Sequence, residues 1–420
     1  MEDFDPAIAM AVALAVEEET DVPKRKRAKW SKKWFLQRST FGHTKLLREL
    51  SHNEPNDLKN FLRMDAESYN ELLQMVEPLI EKQTTNMRQP ISPTERLSIT
   101  LRYLATGNTF EDLKFVSAIA PQTIGKIVIE TCEAIISCLH EYIKMPQSEG
   151  EWLKVSEGFC KSWNFPHALG AVDGKHVAIK KPPGSGSYFF NYKKFFSIVL
   201  MAVVDANYEF IVADVGVNGR VSDGGVLSHT DFGRMMDNQE LAIPPPEKLC
   251  DDDVMPMPYV FVGDEAFSLT ENFMKPYPGR GAEEDDIYNE KCIFNYRLSR
   301  ARMVVENVFG ILASRFGVFQ RQMLLSPEKA QTVTLACCYL HNFLRRKSKR
   351  YIMQGTVDWE DENGTVHGGS WRDSQIESHG LQATQRRNAS DKAKDIRDMF
   401  RRYFCTKGSV PWQRQSHHFV

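Results

Sequence analysis

None of the eight cysteines stands in a CxxC pair, and no run of about 18 apolar residues occurs anywhere in the chain. The first absence argues against a zinc ribbon or a disulfide framework, because both need sulfurs at short, paired intervals. Reduced, mostly buried thiols in an intracellular protein are the expectation that remains. The second argues against a membrane-spanning helix and so against a membrane partner. The apolar patch at residues 7–16 lacks the basic start of a secretory signal, since it follows acidic residues and precedes Glu17, Glu18 and Glu19. Charge of one sign is also missing. The formal net charge is -2, yet basic and acidic stretches alternate along the chain, so any polyanion contact is local.

What is present suits a soluble globular protein of two or three structural units. Residues 1–50 read as a flexible basic leader built around Pro23, Lys24, Arg25, Lys26, Arg27, Lys29, Lys32 and Lys33. Such a run attracts phosphates or an import receptor by charge density, or is simply solvated. Import is the preferred reading, so the nucleus is the expected compartment, with the cytoplasm left open. Residues 51–150 are helical in period. Residues 151–350 switch between strand and helix patterns, 351–390 form a polar linker, and 391–420 hold a last helix and tail.

In the helical region, Ser92-Pro93-Thr94-Glu95 is a helix start with proline at its first position, and Gly107 is a natural stop. Two short helices follow, over 111–119 and 122–136, joined by a turn at Ala120-Pro121. That pattern suits a helix-turn-helix whose second helix would set Gln122, Thr123 and Lys126 against DNA. A plain helical hairpin produces the same pattern.

The pattern then predicts strands over 167–173, 197–204, 210–216 and 259–264, with hairpin chemistry at Asp205-Ala206-Asn207. A helix is expected over 224–236, and an amphipathic one over 298–316. This order is mixed α/β and compatible with an RNase H-like core. Asp173 and Asp264 each terminate an apolar run, and Glu306 lies among Val305, Val308, Phe309 and Leu312 on the buried side of its helix. A carboxylate at the end of a buried strand must be solvated, hydrogen-bonded or metal-bound. Three of them could hold two hard cations about 3.5–4 Å apart, the separation used for in-line attack at phosphorus. Oxygen ligands favour Mg²⁺ or Mn²⁺ over zinc. Asp223 is a candidate fourth ligand. Taken singly, each acid also has an ordinary role: Asp223 could cap the following helix, Asp173 and Asp264 could cap turns, and Glu306 could pair with Arg302 one turn away.

Four blocks carry a family resemblance. Gly170-Ala171-Val172-Asp173-Gly174-Lys175-His176 resembles the first catalytic block of PIF/Harbinger-type DDE transposases, and Val262-Gly263-Asp264-Glu265-Ala266-Phe267 resembles their second. The run from Asn295 through Arg302 and Glu306 to Gly310 resembles the third, and Tyr339-Leu340-His341-Asn342-Phe343 a block just after it. The likeness covers about residues 60–345 and is most specific in the third block. It points to the Harbinger transposase-derived nucleases. The resemblance implies an α/β, RNase H-like mixed-sheet catalytic core preceded by an all-helical N-terminal region. It also implies divalent-metal DNA cleavage with Asp173, Asp264 and Glu306 as the triad and Asp223 as a further metal ligand. DNA is then the substrate, and a separate Myb/SANT-like nuclear protein the expected partner; homo-oligomerisation stays open. The step from Asp264 to Glu306 is slightly long for the family, and an insertion in the polar loop at 279–286 accounts for it.

The basic, aromatic loop from Lys180 to Lys194 could steer a DNA backbone toward Asp173 through Lys193 and Lys194, or could be a hairpin whose aromatics pack on the sheet. The acidic runs at 251–253 and 283–286 lack the ligand spacing of an EF-hand, and His341 reads as a satisfied core histidine. The alternative to a nuclease is a domesticated protein that binds DNA or chromatin without cutting.

Overall fold

The computed structural model describes residues 32–84, 90–221, 223–249, 255–278, 286–348, 351–352, 355–361, 365–372 and 389–413. Most of the basic leader, most of the two acidic runs and much of the expected linker lie outside these residues.

The N-terminal region is helical, with α1 (Thr44–Asn53), α2 (Pro55–Leu62), α3 (Ala66–Ile80), α4 (Pro93–Thr106), α5 (Phe110–Ser117), α6 (Pro121–Cys138) and α7 (Glu149–Trp163). Local chemistry sets its boundaries. Ser92 accepts from the Glu95 backbone N–H at 3.3 Å while Glu95 accepts from the Ser92 N–H at 3.0 Å, a reciprocal cap at the start of α4. Gly107 ends α4 with φ 63, and a Cβ there would lie 2.9 Å from the Gly317 carbonyl, so both backbone and space demand glycine. The tight turn between α5 and α6 passes through Ala118 at φ 53. Ile124, Ile127, Val128 and Cys132 bury one side of α6 against its helical neighbours.

The second half is built on a five-stranded sheet of β1 (Ala168–Ala178), β2 (Ser197–Val204), β3 (Phe210–Asn218), β4 (Val260–Val262) and β5 (Phe273–Met274), in the spatial order β3-β2-β1-β4-β5. The first three strands are antiparallel, and β4 and β5 run parallel to β1. This mixed sheet is the RNase H-like core. The Asp205 carboxylate makes the β2–β3 turn by accepting from the N–H groups of Asn207 and Glu209 at 2.9 and 2.8 Å.

Strand alternation splits the side chains cleanly. Ile198, Leu200, Ala202 and Val204 join one hydrophobic cluster, and Val199, Met201 and Val203 join the other. Trp152 of α7 covers the second cluster together with Val226 and Leu227 of α8 (Asp223–His229) and Phe232 of α9 (Asp231–Asp237). The larger cluster lies under α10 (Asp286–Arg315) and α11 (Pro327–Lys347), and extends into the helical N-terminal region.

Two expectations are corrected. The stretch at 224–236 is not one helix: Thr230 breaks it and caps α9, its hydroxyl accepting from Gly233 N–H at 3.0 Å. Serine and threonine favour caps because they bond nearby backbone groups. Asp173 does not end its strand but lies inside β1, because β2 pairs with β1 as far as Ala178 and carries Lys175 and His176 into the sheet.

Within the expected linker, β6 (Trp359–Glu360) and β7 (Val366–His367) pair as a short hairpin, and Asp358 and Trp371 are buried. The Trp371 indole donates to the Asn307 side-chain oxygen at 2.9 Å and passes over Gly310, where a Cβ would come within 2.2 Å of the ring. The last helix, α12 (Asp391–Cys405), docks through Phe400 and Phe404 onto Phe165. The Arg297 guanidinium fastens the following turn by donating to Gly408 O at 2.8 Å and to the Gln413 side-chain oxygen at 2.9 Å.

Candidate functional site

Register brings the two aspartates together. In the parallel β1–β4 pair Ala171 lies opposite Val262, and both belong to the larger hydrophobic cluster. Two residues on come Asp173, inside β1 and on the α10 face by strand parity, and Asp264, just past the end of β4; both feel the charges of Arg302 and Glu306 on α10. Adjacent strands lie about 4.8 Å apart. Across this face runs α10, whose Val305, Val308, Phe309 and Leu312 pack into the same cluster and hold Glu306 over the strands.

Arg302 lies amid the three acids. Its guanidinium donates to Glu306 one helical turn away and comes within 3.9 Å of Asp264. Burial disfavours the Arg302 charge, but the pull of Glu306, Asp173 and Asp264 outweighs it and raises the pKa above the usual arginine value. The aspartates respond the other way. Burial pushes the Asp173 carboxyl well up, the charges of Asp264 and Glu306 push it further, and Arg302 and the Gly174 N–H at 2.8 Å oppose them. Asp264 is raised mainly by burial, against Arg302 and a 2.9 Å hydrogen bond from Ala266 N–H.

The donor chemistry fits a hard divalent cation: the oxygens of Asp173, Asp264 and Glu306 face one positive centre, and two of the acids are raised by burying their charge. The fit is of chemistry, not of closed geometry. Among the described residues no three His, Cys, Asp or Glu side chains are gathered closely enough to share a metal ion. Arg302 stands between them instead. Asp223 opens α8, and its side chain lies outside the described residues.

The other expected site residues are placed in two groups. Gln122 and Lys126 are exposed on α6, one turn apart, with Thr123 half-buried beside them. Gln122 and Lys126 border a groove of about 440 Å³ that Phe110 and Lys329 also line, while Thr123 does not. Lys193 and Lys194 are exposed in the loop between β1 and β2. There the aromatics Tyr188, Phe190 and Tyr192 stay exposed, while Phe189 packs against the core. His341 is fully buried, bonded to Tyr351 OH at 3.1 Å and Tyr208 O at 2.8 Å, as a core histidine should be.

Two residues near the acids were not singled out from the sequence. The central place of Arg302 was visible only as a helical pair with Glu306. Lys175 was open to the alternation rule, since it shares a strand face with Asp173. Its side chain is 5% exposed, and burial together with nearby Lys193 lowers its pKa to about 8 against the opposing pull of Asp173.

A mixed sheet in this order, with one aspartate inside β1, a second just past the end of the parallel β4 and a glutamate on the helix across them, is an RNase H-like core. The profile of the DDE superfamily endonucleases matches residues 172–342. The chain is 24% identical over 280 residues to "Putative nuclease HARBI1" of Homo sapiens, covering 64% of this chain and 74% of that one. It is 21% identical over 298 residues to "Protein ALP1-like" of Arabidopsis thaliana, covering 69% and 71%. A Xenopus laevis protein with the same name as the human one is 22% identical over 287 residues, covering 67% and 77%. No solved structure matches the chain. Residues 172–342 therefore match a DDE superfamily endonuclease profile, and the chain is similar to proteins named as Harbinger-type putative nucleases.

Proposed function

We propose that this chain is a divalent-metal-dependent DNA endonuclease that hydrolyses phosphodiester bonds. The observation that carries the reading is the β1–β4 register, which sets Asp173 beside Asp264 beneath the helix bearing Glu306. Asp173, Asp264 and Glu306 would hold Mg²⁺ or Mn²⁺, with Asp223 as a further ligand. Two such cations supply activation of a water or 3′-hydroxyl for attack at phosphorus and stabilisation of the leaving oxygen. The chain's own part is positional. The sheet holds two carboxylates rigidly, the buried side of α10 fixes the third, and the surrounding core excludes water from below. DNA contact falls to Gln122, Thr123 and Lys126 on α6 and to Lys193 and Lys194 near β1, with a Myb/SANT-like protein as partner and the nucleus as compartment.

Plasmid nicking by the purified chain with Mg²⁺ or Mn²⁺, beside Asp264→Asn, tests this. Metal-dependent cleavage that the variant loses supports the nuclease. Absence of cleavage by either protein, with a nuclear extract added, would favour the second reading, a DNA- or chromatin-binding adaptor. One observation speaks for that reading: Arg302 already pairs with the acids that a metal would need.

A further inference from the structure

The loop that carries β1 into β2 combines dense positive charge with exposed aromatic rings. Over residues 179–196 the sequence holds Lys180, Lys181, Lys193 and Lys194 and no aspartate or glutamate. All four lysines are exposed. In the same loop Tyr188 is 58% exposed, Phe190 38% and Tyr192 44%. Single exposed apolar side chains are commonplace, but three exposed rings between positions 188 and 192 form a patch, and patches rimmed by charge mark binding surfaces.

Neighbouring residues hold these rings in place. Exposure alternates along the run, with Phe189 packed against the core and Asn191 buried. The Asn191 side chain donates to Ser197 Oγ at 3.0 Å and accepts from Phe195 N–H at 3.2 Å, closing the turn through Lys193 and Lys194. Asn191 N–H donates to Phe195 O at 2.9 Å, and the Phe190 ring centre lies 5.1 Å from that of Phe196. Rings fixed in this way lose little conformational entropy when a flat partner stacks on them.

The loop also lies toward the acids' end of the sheet. From Asp173, β1 runs on to Ala178, a rise of about 17 Å, or about five nucleotides along a duplex strand. Asp264 follows β4, which runs parallel to β1, so both acids and the loop lie in the same direction along the strands. A flexible polyanion with flat faces matches both features of the loop: lysines take its phosphates and aromatic rings its bases. Paired DNA keeps its base faces inside the stack, so rings of this kind serve only unpaired bases.

We propose that the 179–196 loop is a platform for unpaired DNA bases. Tyr188 and Phe190 stack on bases of the strand leading to Asp173, while Lys180, Lys181 and Lys194 hold its phosphates. The inference extends the nuclease reading, on which it rests for DNA as the ligand, and makes the preferred substrate a duplex with unpaired bases near the bond that is cut.

Binding is measured by anisotropy over a range of salt, in the Asp264→Asn background where cutting is silenced. The probes are a blunt duplex and a duplex of equal phosphate count that ends in about ten unpaired thymidines. The tailed DNA should bind roughly tenfold more tightly, and Tyr188→Ala with Phe190→Leu should erase that preference while leaving affinity for the blunt duplex alone. Stacking releases no counterions, so this double variant keeps its slope of log K against log salt, whereas Lys180→Gln with Lys181→Gln lowers the slope on tailed DNA by about one. Thermal melting reports folding; if the aromatic double variant does not fold, Tyr188→Ala alone decides by the same comparison. Equal binding of the two probes before the aromatic substitutions, or a tail preference that survives them in a folded protein, overturns the platform. Plasmid cleavage by the unaltered chain then leaves the nuclease reading standing. A chain that binds neither probe and cuts no plasmid sinks both.

Discussion

Arg302 reaches one turn along α10 to Glu306 and, with its other terminal nitrogen, across the site to within 3.9 Å of Asp264. A single guanidinium thus offsets charge that would otherwise repel across the sheet-helix boundary. A divalent cation would answer to the same oxygens, so the arginine and the metal compete for them.

Replacing Arg302 with Gln exposes that competition. Without metal the variant should be less stable by roughly 1–3 kcal/mol, because the acids lose their partly buried partner. Mn²⁺ should then raise its melting temperature by more than it raises that of the parent. Thermal melts with and without Mn²⁺ measure both effects; equal shifts in the two proteins would mean that Arg302 and the metal do not compete.

The exposed face of α6 makes a separate prediction. Lys126→Glu should weaken DNA binding and reduce its salt dependence, while leaving the stability within about 0.5 kcal/mol of the parent, since the side chain is exposed. Anisotropy titrations at several salt concentrations suffice. Unchanged affinity would leave α5 and α6 as a helical hairpin without a DNA role.

At Gly310 the limit is steric. A Cβ would meet the Trp371 ring at 2.2 Å, and that ring cannot move without losing its bond to Asn307. Gly310→Ala should cost about 1–3 kcal/mol, red-shift tryptophan fluorescence and speed proteolysis between residues 355 and 372. An unaltered emission spectrum would show that Trp371 is not held there.

Acid should destabilise the fold through its buried histidines. Burial lowers His341 and His43 from the usual 6.5 to about 4. The folded state therefore prefers them neutral. Their contribution is intact above pH 6.5 and is lost as pH falls from there toward 4, where the unfolded chain takes up the protons first. His341→Gln should flatten the decline in stability over that window relative to the parent, although it is less stable at neutral pH. Asp205, raised to about 6 chiefly by burial, works in the opposite direction, gaining stability as it protonates, and cancels in the comparison. Urea melts at pH 7, 6, 5 and 4 give the difference directly; parallel curves would remove His341 as a contributor.

Much of this molecule was legible in its residues wherever the governing interaction is local. The cap at Ser92 and Glu95, the stop at Gly107 and the turn at Asp205 each depend on a few neighbouring backbone groups, and each stands where the sequence places it. The apolar runs of β1 to β4 were visible for the same reason. The break at Thr230 was hidden because a threonine inside a helical pattern can equally face solvent, and its capping role needs Gly233 in place. The structure at 355–361 and 365–372 was hidden because its composition is polar. Its anchors, Asp358 and Trp371, both bond Asn307 of α10, far off in the chain.

The candidate site divides along the same line. By itself the sequence determined which acids stand in family blocks and that Glu306 lies on the buried side of a helix, because motif and periodicity are properties of neighbouring residues. Only the tertiary structure decided that Asp173 lies inside its strand and that Ala171 pairs with Val262. It alone set Arg302 among all three carboxylates and buried Lys175 beneath Phe309. Strand register and helix-on-sheet packing join residues far apart in the chain, and no local preference fixes which side chain meets which across that distance.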